Sequence, residues 1–207
     1  MLVPHLLKAE VDPEPVVERL RTYTTLLIQW NRSISNLISR NDEERFVERH
    51  VLESVAVAHW LKQSGATRWM DFGSGGGLPA IPLALCGVGE RWLLVESRRT
   101  KTLFLRKTIQ DMQLVNIDVA NARLEDLDPE NIGLFEGFTS RATLPLAPTL
   151  SLAARFTKVG GHAFLWKGSG RDEEMREDSW KMAWELDGLL GVGTGQTVVC
   201  RFTRKAD

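Results

Sequence analysis

The sequence predicts an α/β fold: a mostly parallel sheet covered by helices on both faces, preceded by an N-terminal helical extension over residues 1–64. Three observations predict it. The first 64 residues carry apolar faces at helical spacing and stop at Gly65. From there short apolar runs alternate with helix-period segments, as strands joined by crossover helices do. Between the first run and the first helix stand four glycines in five positions, Gly73 and Gly75 to Gly77.

Taken in order, Asp12-Pro13-Glu14-Pro15 opens a helix, with a side-chain acceptor at the cap and proline where a missing N–H costs nothing. Val16, Leu20, Tyr23, Leu27 and Trp30 follow four and three apart, on one face. Asn31 to Ser39 holds no strong pattern. Asn41 and Glu44 form a capping box for a second helical region, with Val47, Val51, Val55, Ala58 and Leu61 on one side. Strands are predicted at 67–72, 92–95, 116–120, 137–140, 161–166 and 197–202. Helices are predicted at 79–85, 100–112 and 146–156, and an acidic helix at 172–190.

Length and composition bound the class. At 207 residues the chain makes one domain, or one with an added subdomain. With 43% hydrophobic and 26% charged residues it reads as soluble and globular. No apolar run approaches the roughly 18 residues of a membrane span, and the N-terminus lacks a signal-peptide pattern, so the expectation is a cytoplasmic protein. Cys86 and Cys200 lack ligand spacing and read as buried thiols, with neither a disulfide framework nor a metal site. A net charge of −1 excludes a polyelectrolyte binder as a whole, but charge is uneven. Six basic residues face one acid between Arg91 and Lys107, a local patch suited to a phosphate backbone. No coiled-coil or interface stripe stands out, so a monomer is the default.

Function turns on "DFGSGGGLP", Asp71 to Pro79. In an open parallel sheet, ligands bind beyond the carboxyl ends of the strands. Gly73, Gly75 and Gly77 let backbone N–H groups approach a ligand and permit positive φ. The dinucleotide fingerprint needs a further glycine where Leu78 stands, which argues against a nicotinamide cofactor, and no Gly-Lys-Ser/Thr follows as in a P-loop. Leu78 suits a ligand without a pyrophosphate. Glu96 ends the second strand, 19 residues after Gly77, where a carboxylate can accept from both ribose hydroxyls. "ARLED", Ala122 to Asp126, follows the third strand and can meet an adenine amino group. Asp71 can face an α-amino group. Together these residues describe a pocket for S-adenosylmethionine (SAM), with another nucleoside as the alternative ligand.

Five blocks then carry a resemblance: "LIQWNRSISNL" (Leu27 to Leu37), "RHVLES" (Arg49 to Ser54), "DFGSGGGLPAIPLAL", "LLVESRRTKTLFL" (Leu93 to Leu105) and "SRA" (Ser140 to Ala142). In that order they resemble the bacterial small-subunit ribosomal RNA guanine-N7 methyltransferase G family, also called glucose-inhibited division protein B. The resemblance implies a Rossmann-like SAM-dependent fold with a mostly parallel seven-stranded sheet over residues 65–207. It implies methylation of one guanine N7 near the decoding site of 16S ribosomal RNA, with S-adenosylhomocysteine as product. The family's SAM contacts would fall on Gly73, Leu78, Leu124, Glu125 and Arg141, with Glu96 on the ribose. Asn31, Asn36, Arg49 and His50 would lie near the pocket mouth. A turn-capping Asn36 and a core His50 stay open as plainer alternatives. Arg98, Arg99, Lys101, Lys107 and Lys167 are candidates for RNA contact. The chain departs from the family at Ala80, at Glu53 in place of aspartate, at Thr100-Lys101 in place of a basic pair, and in its C-terminal segment.

Guanine N7 carries a free lone pair at neutral pH, so no general base is named. Neither a Pro-Cys pair for attack on a pyrimidine nor an Asp/Asn-Pro-Pro-aromatic block for adenine N6 is present; "SRATLP" stands after the fourth strand instead. The alternatives are a transfer-RNA or small-molecule methyltransferase, or a non-catalytic SAM-binding regulator.

Overall fold

The computed structural model describes residues 1–34, 36–193 and 195–206, leaving aside the side chains of Arg40 and Asn41. The N-terminal region is helical: α1 (Val3–Lys8), α2 (Pro13–Ser33), α3 (Arg40–Glu43), a π-helical turn (Val47–Val51), α4 (Leu52–Val55) and α5 (Ala58–Gln63). Asp12 caps α2 through its side chain, which accepts from the Glu14 N–H at 3.2 Å. Val16, Leu20, Tyr23 and Leu27 are buried on one face of α2, as their spacing predicts. The second helical region is broken into short pieces rather than continuous. The Asn41 half of the expected capping box lies outside the described side chains, and the helix there starts after Ser39.

The sheet domain follows as β1 (Arg68–Phe72), α6 (Ala80–Leu85), β2 (Arg91–Val95), α7 (Arg99–Asp111), β3 (Ile117–Ala120), α8 (Pro129–Ile132), β4 (Phe135–Arg141), α9 (Leu146–Phe156), β5 (Thr157–Lys167), α10 (Arg171–Glu174), β6 (Trp184–Gly191) and β7 (Val198–Arg204). Seven strands form one sheet in the order β3-β2-β1-β4-β5-β7-β6. The pairs β1–β2, β2–β3, β1–β4 and β4–β5 are parallel; β5–β7 and β6–β7 are antiparallel.

Side-chain alternation along the strands splits the core in two. Trp69, Leu94, Phe164 and Val199 point to the face that also holds Leu20, Tyr23, Leu27 and Leu61 of the N-terminal helices. Their neighbours Met70, Val95, Leu165 and Cys200 point to the face covered by α9. Each such side chain withdrawn from water contributes about 2 kcal/mol, so the helical extension is held by the same apolar burial as the sheet. Cys86 and Cys200 are buried free thiols.

The predicted acidic helix over 172–190 is a correction. The segment contains only the one-turn α10, a 3-10 turn (Ser179–Met182) and then β6. "WELDGLL" alternates along the chain, with Trp184 buried and Glu185 exposed, and β6 pairs antiparallel with β7 through a register shift at Leu186/Gly188. Seven acids suggest a solvated helix face, but period-2 burial against β7 decides the outcome.

Candidate active site

β1, β2 and β3 end side by side, and a cleft of about 370 Å³ opens over their carboxyl ends, within the range of about 300–1,000 Å³ usual for small-ligand sites. Its wall brings together Gly73, Glu96, Arg98, Lys101, Leu124 and Glu125 from the segments that follow β1, β2 and β3. Ala142, Thr143 and Leu144, after β4, close the other side.

The glycine loop leaves β1 and turns back at once. Gly73, Gly75 and Gly77 have φ of +70°, +55° and +89°, which side chains rarely tolerate. The three do different work. A Cβ on Gly73 would lie 2.3 Å from Thr143 Cγ2, and one on Gly77 would lie 2.4 Å from Ile81 Cδ1. Both are therefore glycine for internal packing. A Cβ on Gly75 would meet nothing closer than 3.8 Å, so that position keeps open space that the fold itself does not use. Tyr23 ties the loop to the extension, donating from its buried hydroxyl to the Gly76 carbonyl at 2.6 Å. Leu78 packs half-buried against the core and does not line the cleft.

Glu96 faces the loop. Its Oε2 accepts from the Gly75 N–H at 2.9 Å and its Oε1 from the Arg98 N–H at 2.8 Å. A carboxylate has about four acceptor sites, so two remain for other donors. Asn121 holds the turn beneath it, donating to the Glu96 and Ser97 carbonyls, each at 3.0 Å. Arg98 and Arg99 are exposed at the rim, and Lys101 is partly buried.

Asp71 lies below the loop, fully buried on β1. Thr139 donates to its Oδ1 at 2.6 Å, while Oδ2 has no partner. Burial pushes its carboxyl up to about 7, opposed by the Thr139 and Ser74 hydroxyls, which favour the ionised form.

Arg141 turns away from this cleft. Its Nη2 lies 2.7 Å from Glu53 Oε2 and 2.9 Å from His50 Nδ1, and it donates to the Arg49 carbonyl at 3.1 Å. Arginine only donates, so His50 Nδ1 accepts and the ring proton sits on Nε2, which is buried without a hydrogen-bond partner. Burial, reinforced by Arg141, lowers the His50 pKa to about 4, leaving the ring neutral at neutral pH. Arg49 pairs with Asp42 at 2.6 Å. Asn36 is exposed; the nearby turn is held instead by buried Asn31, whose Oδ1 accepts from the Leu37 and Ile38 N–H groups. Lys167 lines a second cleft beyond residues 142–144, together with Arg141.

Sequence reasoning misses Asn121, Tyr23, Thr143 and the role of Glu53. Asn121 directly precedes "ARLED" and offers a local signal; the others act across more than fifty residues of sequence.

Residues 16–192 match the GidB family, described as rRNA small subunit methyltransferase G. A ribosomal RNA small subunit methyltransferase G from Chromobacterium violaceum is 36% identical over 162 residues, covering 78% of this chain and 75% of that protein. One from Halorhodospira halophila is 34% identical over 200 residues, covering 94% and 92%. Among solved structures, magnesium protoporphyrin IX methyltransferase from Synechocystis PCC 6803, with bound SAM, superposes with a TM-score of 0.65 at 15% identity, covering 94% of this chain and 98% of that one. At that identity the likeness is one of fold, and the fold is that of SAM-dependent methyltransferases. By sequence over most of its length, the chain belongs to the GidB family, the rRNA small subunit methyltransferase G proteins.

Proposed function

We propose that the cleft over β1, β2 and β3 holds SAM, and that the RNA base reaches it from the side of residues 142–144. The reaction is the family's: SAM-dependent methylation of guanine N7 in 16S ribosomal RNA. The observation that carries the site assignment is that Glu96 lines the cleft beside bare Gly73 and is held there by the Gly75 N–H.

When bound, the cosubstrate supplies a methyl group on a positively charged sulfur and departs as S-adenosylhomocysteine. Glu96 offers its two remaining acceptor sites to ribose hydroxyls. Gly73, Gly75, Gly77 and Leu78 shape the loop, and Leu124 and Glu125 take the adenine side. Asp71, fully buried beneath the loop and outside the cleft wall, acts on the ammonium group by its charge through the loop rather than by contact. Arg141 belongs to the site through the turn it opens: Ala142 has φ of +53°, and Thr143 packs on Gly73. No side chain has to remove a proton from N7, so the protein's contribution is orientation and proximity.

Arg98, Arg99 and Lys101 lie at the rim for RNA phosphates, with Asn36, Arg49 and His50 on the extension side. Residues 1–64 serve as the extension in this reading and residues 65–207 as the methyltransferase domain. The protein works in the cytoplasm as a monomer, with the small ribosomal subunit or its RNA as partner. No described helix is long and apolar enough to cross a membrane.

The test uses tritiated SAM with small ribosomal subunits, naked 16S RNA and transfer RNA, followed by nucleoside analysis. Label in 7-methylguanosine from subunits or 16S RNA supports the reading. Label only in transfer RNA, or in no RNA, rejects it.

A further inference from the structure

The second cleft has a chemistry of its own. It measures about 380 Å³ and opens at the carboxyl ends of β4 and β5. Ala142, Thr143 and Leu144 line both clefts, so a single turn separates them. Leu144, Pro145 and Trp166 give it an apolar wall, and Lys167 and Glu174 give it a polar one.

Lys167 and Glu174 are fixed relative to one another. Glu174 Oε2 accepts from Lys167 Nζ at 2.7 Å and from the Leu146 N–H at 2.6 Å. Lys167 Nζ also donates to the Leu144 carbonyl at 2.9 Å. The lysine side chain is only 10% exposed and the glutamate 29%. An ammonium has three donors, and two are used here; a carboxylate has two oxygens, and Oε2 carries both contacts. What remains is one N–H donor on Lys167 and the Oε1 acceptor on Glu174, on two side chains held together at 2.7 Å.

We propose that this cleft is the acceptor-base pocket, and that Lys167 and Glu174 read guanine through its O6 and N1–H. The inference rests on the RNA guanine-N7 reading above. Guanine presents an acceptor, O6, next to a donor, N1–H. The lysine donor meets the first and the glutamate Oε1 meets the second. Adenine presents the reverse order, an N6 donor next to the N1 acceptor, so both contacts would become repulsive. Neither contact touches N7, which stays free toward the 142–144 turn and the first cleft. The apolar wall suits the face of a base lifted out of its stack, as single-stranded RNA recognition requires. Glu174 and Lys167 are thus specificity-determining rather than catalytic residues.

The test compares RNA substrates carrying guanosine or 2,6-diaminopurine at the methylated position. The diaminopurine keeps the ring shape, N7 and the 2-amino group but reverses the O6/N1–H edge. The wild-type protein is expected to prefer guanosine by about 100-fold in kcat/KM. Glu174→Gln and Lys167→Met are expected to bind SAM within about 3-fold of wild type by calorimetry, yet to lose at least 10-fold of that preference. A merely structural role would lower both substrates together and leave their ratio alone. If Glu174→Gln loses SAM binding through misfolding, Lys167→Met carries the test. An unchanged ratio in a variant that binds SAM overturns the pocket assignment while leaving the function intact. A wild-type protein that forms no 7-methylguanosine on the guanosine substrate overturns the function first, and this inference with it.

Discussion

Arg141, at the end of β4, and Glu53, in α4, form an ion pair 2.7 Å long whose side chains are 14% and 5% exposed. It joins the sheet to the helical extension across 88 residues of sequence. Thr197, just before β7, donates to the other Glu53 oxygen at 3.2 Å, so three parts of the chain meet on one carboxylate. Burial raises the Glu53 pKa, and the Arg141 charge works against that shift.

Breaking a buried pair strands a charge without compensation, which costs about 3–5 kcal/mol. Glu53→Ala is therefore expected to lose about 3 kcal/mol, a fall in Tm on the order of 10 °C. Glu53→Asp, which keeps the charge, should lose less. Chemical denaturation of both variants checks this. Equal and negligible losses would show that the pair does not anchor the extension.

The glycines separate packing from ligand access. Gly77→Ala forces a Cβ to within 2.4 Å of Ile81 and is expected to destabilise the protein by about 2 kcal/mol or more. Gly75→Val sets its Cβ in open space; it carries the strain of a β-branched residue at φ +55°, about 2 kcal/mol. It should remain folded and lose SAM binding. Unchanged binding in a folded Gly75→Val protein, measured by calorimetry, counts against the loop as the site.

Glu96→Gln replaces one carboxylate oxygen by an NH₂ group, which then opposes the N–H of Gly75 or of Arg98. Hydrogen bonds to charged acceptors are worth about 1.5–3 kcal/mol, so SAM affinity should fall about 10- to 100-fold. Calorimetry at fixed pH measures it, and a change below 3-fold removes Glu96 from the site.

Asp71 gives a pH signature. Its folded pKa of about 7 lies above its ordinary value of 3.8, so the folded state favours the protonated form. The stability this contributes is fully present below about pH 4 and is lost as pH rises through 7. Asp71→Asn does not titrate. From pH 5 to pH 8 the wild type should lose on the order of 2 kcal/mol relative to this variant. A cationic ligand in the cleft above Asp71 favours its ionisation, so SAM binding at pH 6.5 should release a proton, with little release at pH 8.5. Calorimetry in buffers of different ionisation enthalpy reads this directly; no release at pH 6.5 removes the ammonium from Asp71.

The exposed arginines give a salt signature. Each cation removed from the phosphate-binding surface lowers the slope of log K against log salt by about 0.7 for single-stranded nucleic acid. Arg98→Gln with Arg99→Gln should weaken RNA binding and flatten the slope by about 1.4. SAM affinity should stay unchanged, because the Arg98 contact to Glu96 is made by the backbone N–H. An unaltered slope would place the RNA elsewhere.

Much of this is legible in the sequence because its signals are local. The 16–20–23–27 face of α2, the alternation of strands and helices, the glycine loop and Glu96 all follow from spacing within one or two elements. β6 is not legible: the seven acids between Asp172 and Asp187 outweigh a short alternation that matters only once β7 lies beside it. The direction taken by Arg141 is not legible either. Its position at the end of β4 is a local fact, but its partner Glu53 is chosen by how α4 packs on the sheet. The Tyr23 bond to Gly76 is hidden for the same reason, since helical spacing marks Tyr23 only as core.

The most direct measurement is a crystal structure of the protein with S-adenosylhomocysteine. Density is expected in the cleft between the 73–77 loop and Leu124, with both ribose hydroxyls on Glu96. Density at another site at saturating concentration, with Glu96 still holding only Gly75 and Arg98, would contradict the assignment of the cleft.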